Sequence, residues 1–450
     1  MTLHGAVARG REVPWVRWGG LLAAVGIIER AVLASTYAPV SYGDSPSYMR
    51  LAEVLAHSWL KGYDGTRVPG YPAFLALLGL KPVAVWGTQM AIGVAISLLL
   101  FYVVLRSTQS APWAFAAGVL YDVIAAQVLF EANLLSETLT TLFLVGSLAL
   151  FLTITPQRGL RRLLLFSAAL GLAASLAGMV RTLFYFLPVF LMPFVWLAAG
   201  GDWRRRLGAV AALSLPAVLI LGGWIAWIHN HYGMLSPSTM SGYNLVQHTG
   251  SYFDDLPDSE AAIRDTYIKY RDQRLADRGV QTNAIWDAIP ELTEKTGLSF
   301  FALSQKMETL SLQLILTHPL RYGRDVVTGW IAFWKAPVYW DPGSVHPAGL
   351  KSMYVAWGWL GRGISLMANA AFLVISLLVA ASARLRRRWG IDRFLVLMAG
   401  TVWVSSIVQT LVDHGDNPRF LVPLQMFVVI TVLIAIRGEL IARRTQTRGS

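Results

Sequence analysis

Arginine and carboxylate side chains recur at one end of the long apolar segments of this sequence, where a charge needs a partner or a ligand. The arginines are Arg67, Arg181 and Arg419. The carboxylates are Asp44, Glu131, Glu137, Asp413 and Asp416. Arginine binds phosphate through two parallel hydrogen bonds, and a carboxylate acts as a general base or as a ligand of a divalent metal ion. These residue types fit either a site for a lipid phosphate or a network of interfacial salt bridges.

The elements that position these charges are predicted to be membrane-spanning helices. Of the 450 residues, 55% are hydrophobic and only 14% are charged, whereas a soluble domain carries about 25% charged residues. A helix that crosses the hydrocarbon needs about 20 mostly apolar residues. The candidate spans are residues 18–36, 83–105, 112–130, 134–154, 163–180, 183–199, 208–228, 353–381, 393–412 and 420–436. The sequence therefore predicts an all-α polytopic membrane protein with about 10 transmembrane helices.

The formal net charge of +12 comes largely from short basic runs between the apolar segments. Such runs are typical of cytoplasmic loops, so they argue against a nucleic-acid partner. The basic residues concerned are Arg9, Arg11, Arg17, Arg106, Arg158, Arg161, Arg162, Arg204, Arg205, Arg206, Arg384, Arg386, Arg387, Arg388, Arg437, Arg443 and Arg444. All fall on one side of the membrane if residues 229–352 stay on the other. We therefore expect an inner-membrane protein with both termini cytoplasmic and the arginine–carboxylate residues facing the periplasm or exterior.

This topology divides the chain into three parts. Residues 1–228 form an N-terminal transmembrane module whose first outer loop covers 37–82. Residues 229–352 form a helical insert on the outer face, in which the aromatic segment Tyr322–Trp340 is expected to be an interfacial helix rather than a span. Residues 353–450 form the C-terminal transmembrane helices and a basic cytoplasmic tail.

Short motifs that accompany the charges point to a known family. In chain order they are Tyr42–Tyr48, Arg67–Pro72, Leu135–Thr138, Gly178–Arg181, Gly242–Leu245 and Asn417–Phe420. Together they resemble the GT-C glycosyltransferases, in particular the family 39 branch of the protein O-mannosyltransferases and the lipid A aminoarabinose transferases. The protein O-mannosyltransferases carry an Asp-Glu pair in the first loop, whereas Asp44 is followed by Ser45. The resemblance therefore favours the members that modify lipids or glycans.

The resemblance implies a GT-C-like bundle that takes a sugar from a polyprenyl-phosphate donor and passes it, with inversion, to an acceptor hydroxyl of a lipid or glycan. Asp44 would be the general base. Arg67, Arg181 and Arg30 would bind the donor phosphate. The candidates for sugar or acceptor binding are Glu137, Tyr48, Tyr243, Asn244 and Arg419. Structural roles remain open beside these, because Asp44 also suits a helix cap before Pro46 and Glu137 also suits the first turn of a helix.

Other functions compete with this one. A lipid or glycolipid transporter would show inverted repeats and helices broken near the bilayer midplane, whereas the polar residues here cluster at outer ends. An undecaprenyl-diphosphate-glycan ligase would share the broad architecture. The chain has no cysteine, which excludes disulfides and thiolate metal sites. A divalent metal ion on Glu137 remains open, and no other cofactor is indicated.

Overall fold

The computed structural model describes residues 14–413 and 417–447. Arg9, Arg11 and Asp416 lie outside the described residues. The first part of the chain forms α1 (Pro14–Thr36), α2 (Ser45–Ser58), α3 (Gly70–Leu77), α4 (Pro82–Thr108), α5 (Ala111–Val123), α6 (Ala125–Glu131), α7 (Glu137–Phe151), α8 (Leu160–Val180), α9 (Leu187–Ala199), α10 (Trp203–Ala217) and α11 (Gly223–Tyr232). The insert forms α12 (Ser241–Thr249), α13 (Ala261–Arg278), α14 (Ala284–Thr296), α15 (Phe300–Thr317) and α16 (Pro319–Phe333). The last part forms α17 (Lys351–Ala381), α18 (Ala383–Arg388), α19 (Arg393–Val412) and α20 (Gln425–Thr447).

The long helices match the spans expected from the sequence. Eight helices of the described chain are long and apolar enough to cross a membrane. The α5–α6 pair, bent by 62°, adds a ninth candidate, and α7 is a shorter apolar helix. The bend falls at Ile124, whose extended backbone separates the two helices. The all-α polytopic membrane fold is confirmed.

The two ends of the bundle differ in charge. At one end, which we call the basic end, arginine side chains hydrogen-bond to neighbouring loops: Arg205 Nη2 lies 2.6 Å from the carbonyl oxygen of Arg158, and Arg393 Nη1 lies 3.1 Å from that of Leu197. The opposite end, the loop end, carries the first outer loop, the α6–α7 connection and the insert. The basic loops expected on one side thus lie together, while the side that faces the cytoplasm stays a prediction.

The insert has an apolar core of its own. Buried side chains of α12 to α15, among them Tyr243, Phe253, Tyr267 and Met307, pack against one another at the loop end of the bundle. The insert is tied to the first outer loop, because Thr239 N donates to the carbonyl oxygen of Gly65 over 3.0 Å. The two segments therefore form one wall.

The helix α16 lies in the segment expected to be interfacial, and its place relative to the membrane stays a prediction. It begins at the loop end, where the Tyr322 hydroxyl donates to the carbonyl oxygen of Leu411 over 2.6 Å. It then runs along α19 until the indole of Trp330 stacks on Trp403, with ring centres 5.8 Å apart. At 1.5 Å per residue, Trp403 lies roughly 13 Å below the loop end of α19. The helix dips into the bundle because its aromatic face is buried against α17 and α19.

Candidate functional site

Two backbone segments at the loop end hold the carboxylates that the sequence singled out. Val40 forms a parallel bridge with Asn133, in which Val40 N donates to the carbonyl oxygen of Ala132 over 2.9 Å and Leu134 N donates to that of Val40 over 3.0 Å. The hydroxyl of Ser45 adds a hydrogen bond of 2.9 Å to the carbonyl oxygen of Leu134. The segment before α2 and the segment before α7 are therefore fixed to each other.

Asp44, the residue before α2, lies between two arginines. Its Oδ1 is 2.6 Å from Arg67 Nη2, and its Oδ2 is 2.5 Å from Arg419 Nη2. Burial alone raises the pKa of the Asp44 carboxyl, but the charges of Arg67 and Arg419 outweigh it and hold that pKa well below its usual range. The side chain forms no cap on α2, so the cap suggested by the sequence is replaced by ion pairs.

Glu137, the first residue of α7, is the second carboxylate of the site. Its Oε1 is 2.7 Å from Arg181 Nη1 and 2.9 Å from Arg419 Nε. The residue is fully buried, and its Oε2 has no hydrogen-bond partner among the described residues. Arg419 thus bridges Asp44 and Glu137, and the charges alternate in the order Arg67, Asp44, Arg419, Glu137, Arg181.

Aromatic rings support the arginines at the two ends of this series. The guanidinium carbon of Arg67 lies 5.3 Å from the ring centre of Tyr48, and that of Arg181 lies 4.3 Å from the ring centre of Phe420. Stacking on a ring fixes the plane of a guanidinium group. The arginines are therefore held at a defined place and orientation.

A cavity of about 370 Å³ opens next to these arginines. Arg67, Arg181 and Arg419 line it, as does Tyr48. The wall formed by the insert and the first loop contributes uncharged polar side chains: Thr66, Ser236, Ser238, Ser241 and Asn244. Asp44 and Glu137 are not lining residues, so the cavity meets the cationic side of the series. Asp413 lies at the wall formed by the end of α19.

Two candidates from the sequence lie away from this cavity. Tyr243 is fully buried in the core of the insert, where its hydroxyl donates to the carbonyl oxygen of Phe300 over 2.6 Å. Arg30 lies inside the bundle on α1, with its Nη1 2.6 Å from Asp122 Oδ1 and its Nη2 2.7 Å from Glu131 Oε1. A phosphate-binding role for Arg30 would require it to leave these carboxylates.

The sequence pointed to Asp44, Tyr48 and the arginines, but it missed most of the uncharged wall. Thr66, Ser236 and Ser238 lie in loops without periodicity, and Ser241 is the first residue of α12. Thr66 and Ser241 carried a weak signal, as neighbours of Arg67 and of the Gly242–Leu245 motif. Their common place is set by hydrogen bonds such as that of 3.0 Å from Ser238 Oγ to the carbonyl oxygen of Thr66.

The carboxylates of the site are not grouped in the way that metal ligands usually are. Within residues 14–413 and 417–447, no group of three or more histidine, aspartate or glutamate side chains is arranged to hold a metal ion. The near carboxylates, Asp44 and Glu137, each contact two arginines. A divalent metal ion on Glu137 stays a prediction.

Comparison with solved structures gives a distant likeness. No protein-family model and no curated protein matches the sequence. The chain is similar to a crystal structure of ArnT from Cupriavidus metallidurans bound to undecaprenyl phosphate, with 14% identity and a TM-score of 0.37 over 93% of this chain and 77% of that chain. A likeness this weak says nothing about the activity or ligands of this chain.

Proposed function

We propose that this protein is a membrane glycosyltransferase that moves a sugar from a polyprenyl-phosphate donor to a hydroxyl group of a lipid or glycan, with inversion. The observation that carries the proposal is the alternating series of arginines and carboxylates beside a cavity at the loop end of a membrane bundle. Such a cavity is open to a lipid headgroup, and its cationic side suits a phosphate.

The charge of the series supports a donor with a single phosphate. Three guanidinium groups, those of Arg67, Arg181 and Arg419, stand against two carboxylates, those of Asp44 and Glu137. The series therefore has one excess positive charge. A sugar phosphodiester is a monoanion near neutral pH, whereas a diphosphate diester carries a further negative charge. Asp413, which also lines the cavity, balances the excess positive charge of the series, so the site has no surplus for a dianion. A monophosphate donor therefore fits it better than the donor of an undecaprenyl-diphosphate-glycan ligase.

In the proposed mechanism the donor phosphate displaces part of the contact between Asp44 and its arginines. With Arg67 and Arg419 shared by the phosphate, the pKa of Asp44 rises toward its usual range, and the carboxylate becomes a stronger base. The acceptor oxygen then attacks the anomeric carbon from the side opposite the phosphate, and the bond between that carbon and the phosphate oxygen breaks. The bonding electrons leave with the phosphate. The acceptor proton passes to Asp44, whose side chain is 23% exposed and becomes more accessible as Arg67 and Arg419 turn to the phosphate.

The arginines stabilise the leaving group. As the bond to the phosphate breaks, negative charge grows on the phosphate oxygens, and fixed guanidinium groups at this place lower the energy of the transition state. The uncharged wall is the proposed sugar side. Hydroxyl groups of Thr66, Ser238 and Ser241 and the amide of Asn244 both donate and accept hydrogen bonds, as sugar hydroxyls do.

The proposed location follows the distribution of charge. We infer an inner-membrane protein whose basic end faces the cytoplasm, together with both termini, and whose loop end faces the periplasm or exterior. The division into residues 1–228, 229–352 and 353–450 belongs to the same proposal. A lipid transporter would also bind a phosphate at the loop end, but it would leave the mass of its lipid unchanged.

The test is a gene deletion followed by mass spectrometry of envelope glycolipids and glycans, with three restored forms. These are the wild type, Asp44→Asn and the control Glu291→Gln. Glu291 also contacts two cations, with 2.7 Å to Lys269 Nζ and 2.8 Å to Lys295 Nζ. Hydrogen bonds from Lys269, Lys295 and Tyr270 lower its pKa to about 2. It lies on the insert away from the cavity, so it controls for the loss of a paired carboxylate.

We expect one sugar-sized mass to vanish in the deletion strain and to return with the wild type and with Glu291→Gln but not with Asp44→Asn. The loss of a general base lowers turnover by about 10²–10⁴-fold. Full restoration by Asp44→Asn would remove Asp44 from the mechanism. A deletion strain without any change of glycan mass, but with lipid retained on one leaflet, would replace the transferase by a transporter.

A further inference from the structure

A second ionic cluster lies inside the bundle, and the proposed mechanism does not use it. Arg30 contacts three carboxylates: Glu29 at 2.8 Å, Asp122 at 2.6 Å and Glu131 at 2.7 Å. Its Nε donates a further hydrogen bond of 3.0 Å to Glu131 Oε2, so Glu131 is held by two parallel hydrogen bonds. The hydroxyl of Tyr121 donates to Glu131 Oε1 over 3.2 Å. Glu131 is fully buried and is the most firmly held of the three carboxylates.

Glu131 is also the last residue of α6, so its fixed side chain sets where the α6–α7 connection begins. The amide of Gln89 holds the same connection from α4, since its Nε2 donates to the carbonyl oxygens of Glu131 and Asn133 over 2.8 and 2.9 Å. The Gln89 Oε1 accepts a hydrogen bond of 3.1 Å from the Tyr71 hydroxyl. The ring of Tyr71 packs edge-on against Tyr48, with centres 4.9 Å apart.

The connection that Glu131 and Gln89 fix is the one that joins the two carboxylates of the site. It carries the bridge between Asn133 and Val40 and accepts the Ser45 hydroxyl at Leu134. Asp44 precedes Ser45, and Glu137 follows the connection as the first residue of α7. A shift at Glu131 therefore moves the segments of both carboxylates, whereas Arg181 and Arg419 belong to other elements.

We propose that Arg30 and Glu131 form a positioning pair for the site: they fix the α6–α7 connection and, through it, the places of Asp44 and Glu137. Neither residue lines the cavity. Asp122 also contacts Arg30 closely, but it lies on α5 and does not belong to the α6–α7 connection. The catalytic part of this inference rests on the proposed function; the mechanical part does not.

The close packing around Glu131 supports a fixed position. Gly93 of α4 faces the Glu131 carboxylate, and a Cβ atom at that place would overlap Oε1. A side chain at residue 93 would push the carboxylate away from Arg30. Gly93→Ala therefore perturbs the pair from a different helix without changing any charge.

The test compares Glu131→Gln and Gly93→Ala with the control Asp122→Asn. Glu131→Gln and Asp122→Asn each remove one carboxylate from Arg30, so their effects on charge are matched. Three quantities are measured on purified full-length protein or its membranes: the Kd for undecaprenyl phosphate, the rate of product formation per folded protein, and the distance distribution between spin labels at Ser41→Cys and Lys81→Cys. The chain has no cysteine of its own, and both positions are exposed.

We expect Glu131→Gln and Gly93→Ala to broaden the label distance and to lower the rate by about tenfold to hundredfold, since small misplacements of reacting groups cost this much. The Kd is expected to stay within about threefold, because Arg181 and Arg419 keep their places. Asp122→Asn should leave the distance and the rate unchanged. A mainly structural cluster would instead give equal losses of folded protein in Glu131→Gln and Asp122→Asn, with unchanged rates per folded protein, and that result would overturn the proposal.

Failure of the proposed function would give different results from failure of the positioning pair. If the wild type neither binds undecaprenyl phosphate nor forms product, the transferase is refuted, while the label distances still decide the mechanical part. If the wild type is active and the distance distribution is the same in all variants, the positioning pair is refuted alone.

Discussion

The two ionic clusters of this protein, one at the loop end and one inside the bundle, have different charge balances. At the loop end, the three arginines Arg67, Arg181 and Arg419 exceed their two carboxylate partners, and all three line a cavity. Inside the bundle, the single Arg30 is surrounded by three carboxylates. An excess of cations beside a cavity attracts an anionic ligand, whereas an enclosed arginine among carboxylates holds chain segments together. The same residue types thus serve binding in one place and positioning in the other.

The largest expected effect is a difference in the stability that the protein loses when an arginine is removed from each cluster. Arg30→Gln leaves the buried Asp122 and Glu131 and the half-buried Glu29 without their cation, so we expect a loss of about 3–5 kcal/mol and little folded protein in the membrane. Arg419→Gln leaves two arginines with two carboxylates, so the loss should be smaller, while the Kd for undecaprenyl phosphate rises at least about tenfold. Thermal unfolding in detergent measures the stability of each variant, and a lipid-binding assay measures its Kd for undecaprenyl phosphate. Equal destabilisation by the two substitutions would contradict the difference between the clusters.

The next effect concerns the bridge that Arg419 makes between Asp44 and Glu137. Arg419→Lys keeps the charge but lacks the planar fork that reaches both carboxylates, so we expect turnover to fall by about 10²-fold. The control is Arg264→Lys, since Arg264 pairs with the exposed Asp258 on the insert. Product formation in membranes is measured for both. Wild-type turnover in Arg419→Lys would mean that charge alone is sufficient.

A smaller effect distinguishes the neighbours Tyr243 and Asn244. Tyr243→Phe removes the hydrogen bond to Phe300, and we expect about 1 kcal/mol less stability with unchanged turnover. Asn244→Ala removes a polar group from the cavity wall, so KM for the donor should rise with little change in stability. Kinetics and thermal unfolding on the same preparations test both. A change of KM in Tyr243→Phe would show that this residue contributes to donor binding after all.

The smallest expected effect is a flat pH profile. The arginines depress the pKa of Asp44 in the folded protein, so its contribution to stability is fully present above its unfolded pKa of about 3.9 and is lost as the pH falls through the lower folded value. The stability difference between the wild type and Asp44→Asn should be constant from about pH 5 to 8. A difference that shrinks between pH 7 and 5 would place the pKa of Asp44 above its usual range.

Much of the fold could be predicted because a membrane imposes a simple rule. Long apolar segments and basic loops are local features, so the spans and the common end of Arg158 and Arg205 were readable from the sequence. The partners of α16 were not readable. Its aromatic residues suit a water–membrane interface and a contact with other helices equally well, and only the tertiary structure shows that Trp330 stacks on Trp403.

The candidate site shows the same division at the level of single residues. The sequence by itself determined that Asp44, Glu137, Arg67, Arg181 and Arg419 stand at the ends of apolar helices, because the position of a charge along a span is fixed by counting residues. It could not determine partners, since each helix is free to rotate about its axis until it packs. Tertiary packing turned Arg30 toward Asp122 and Glu131, buried Tyr243 in the insert, and brought residues 44, 137 and 419 within ion-pair distance.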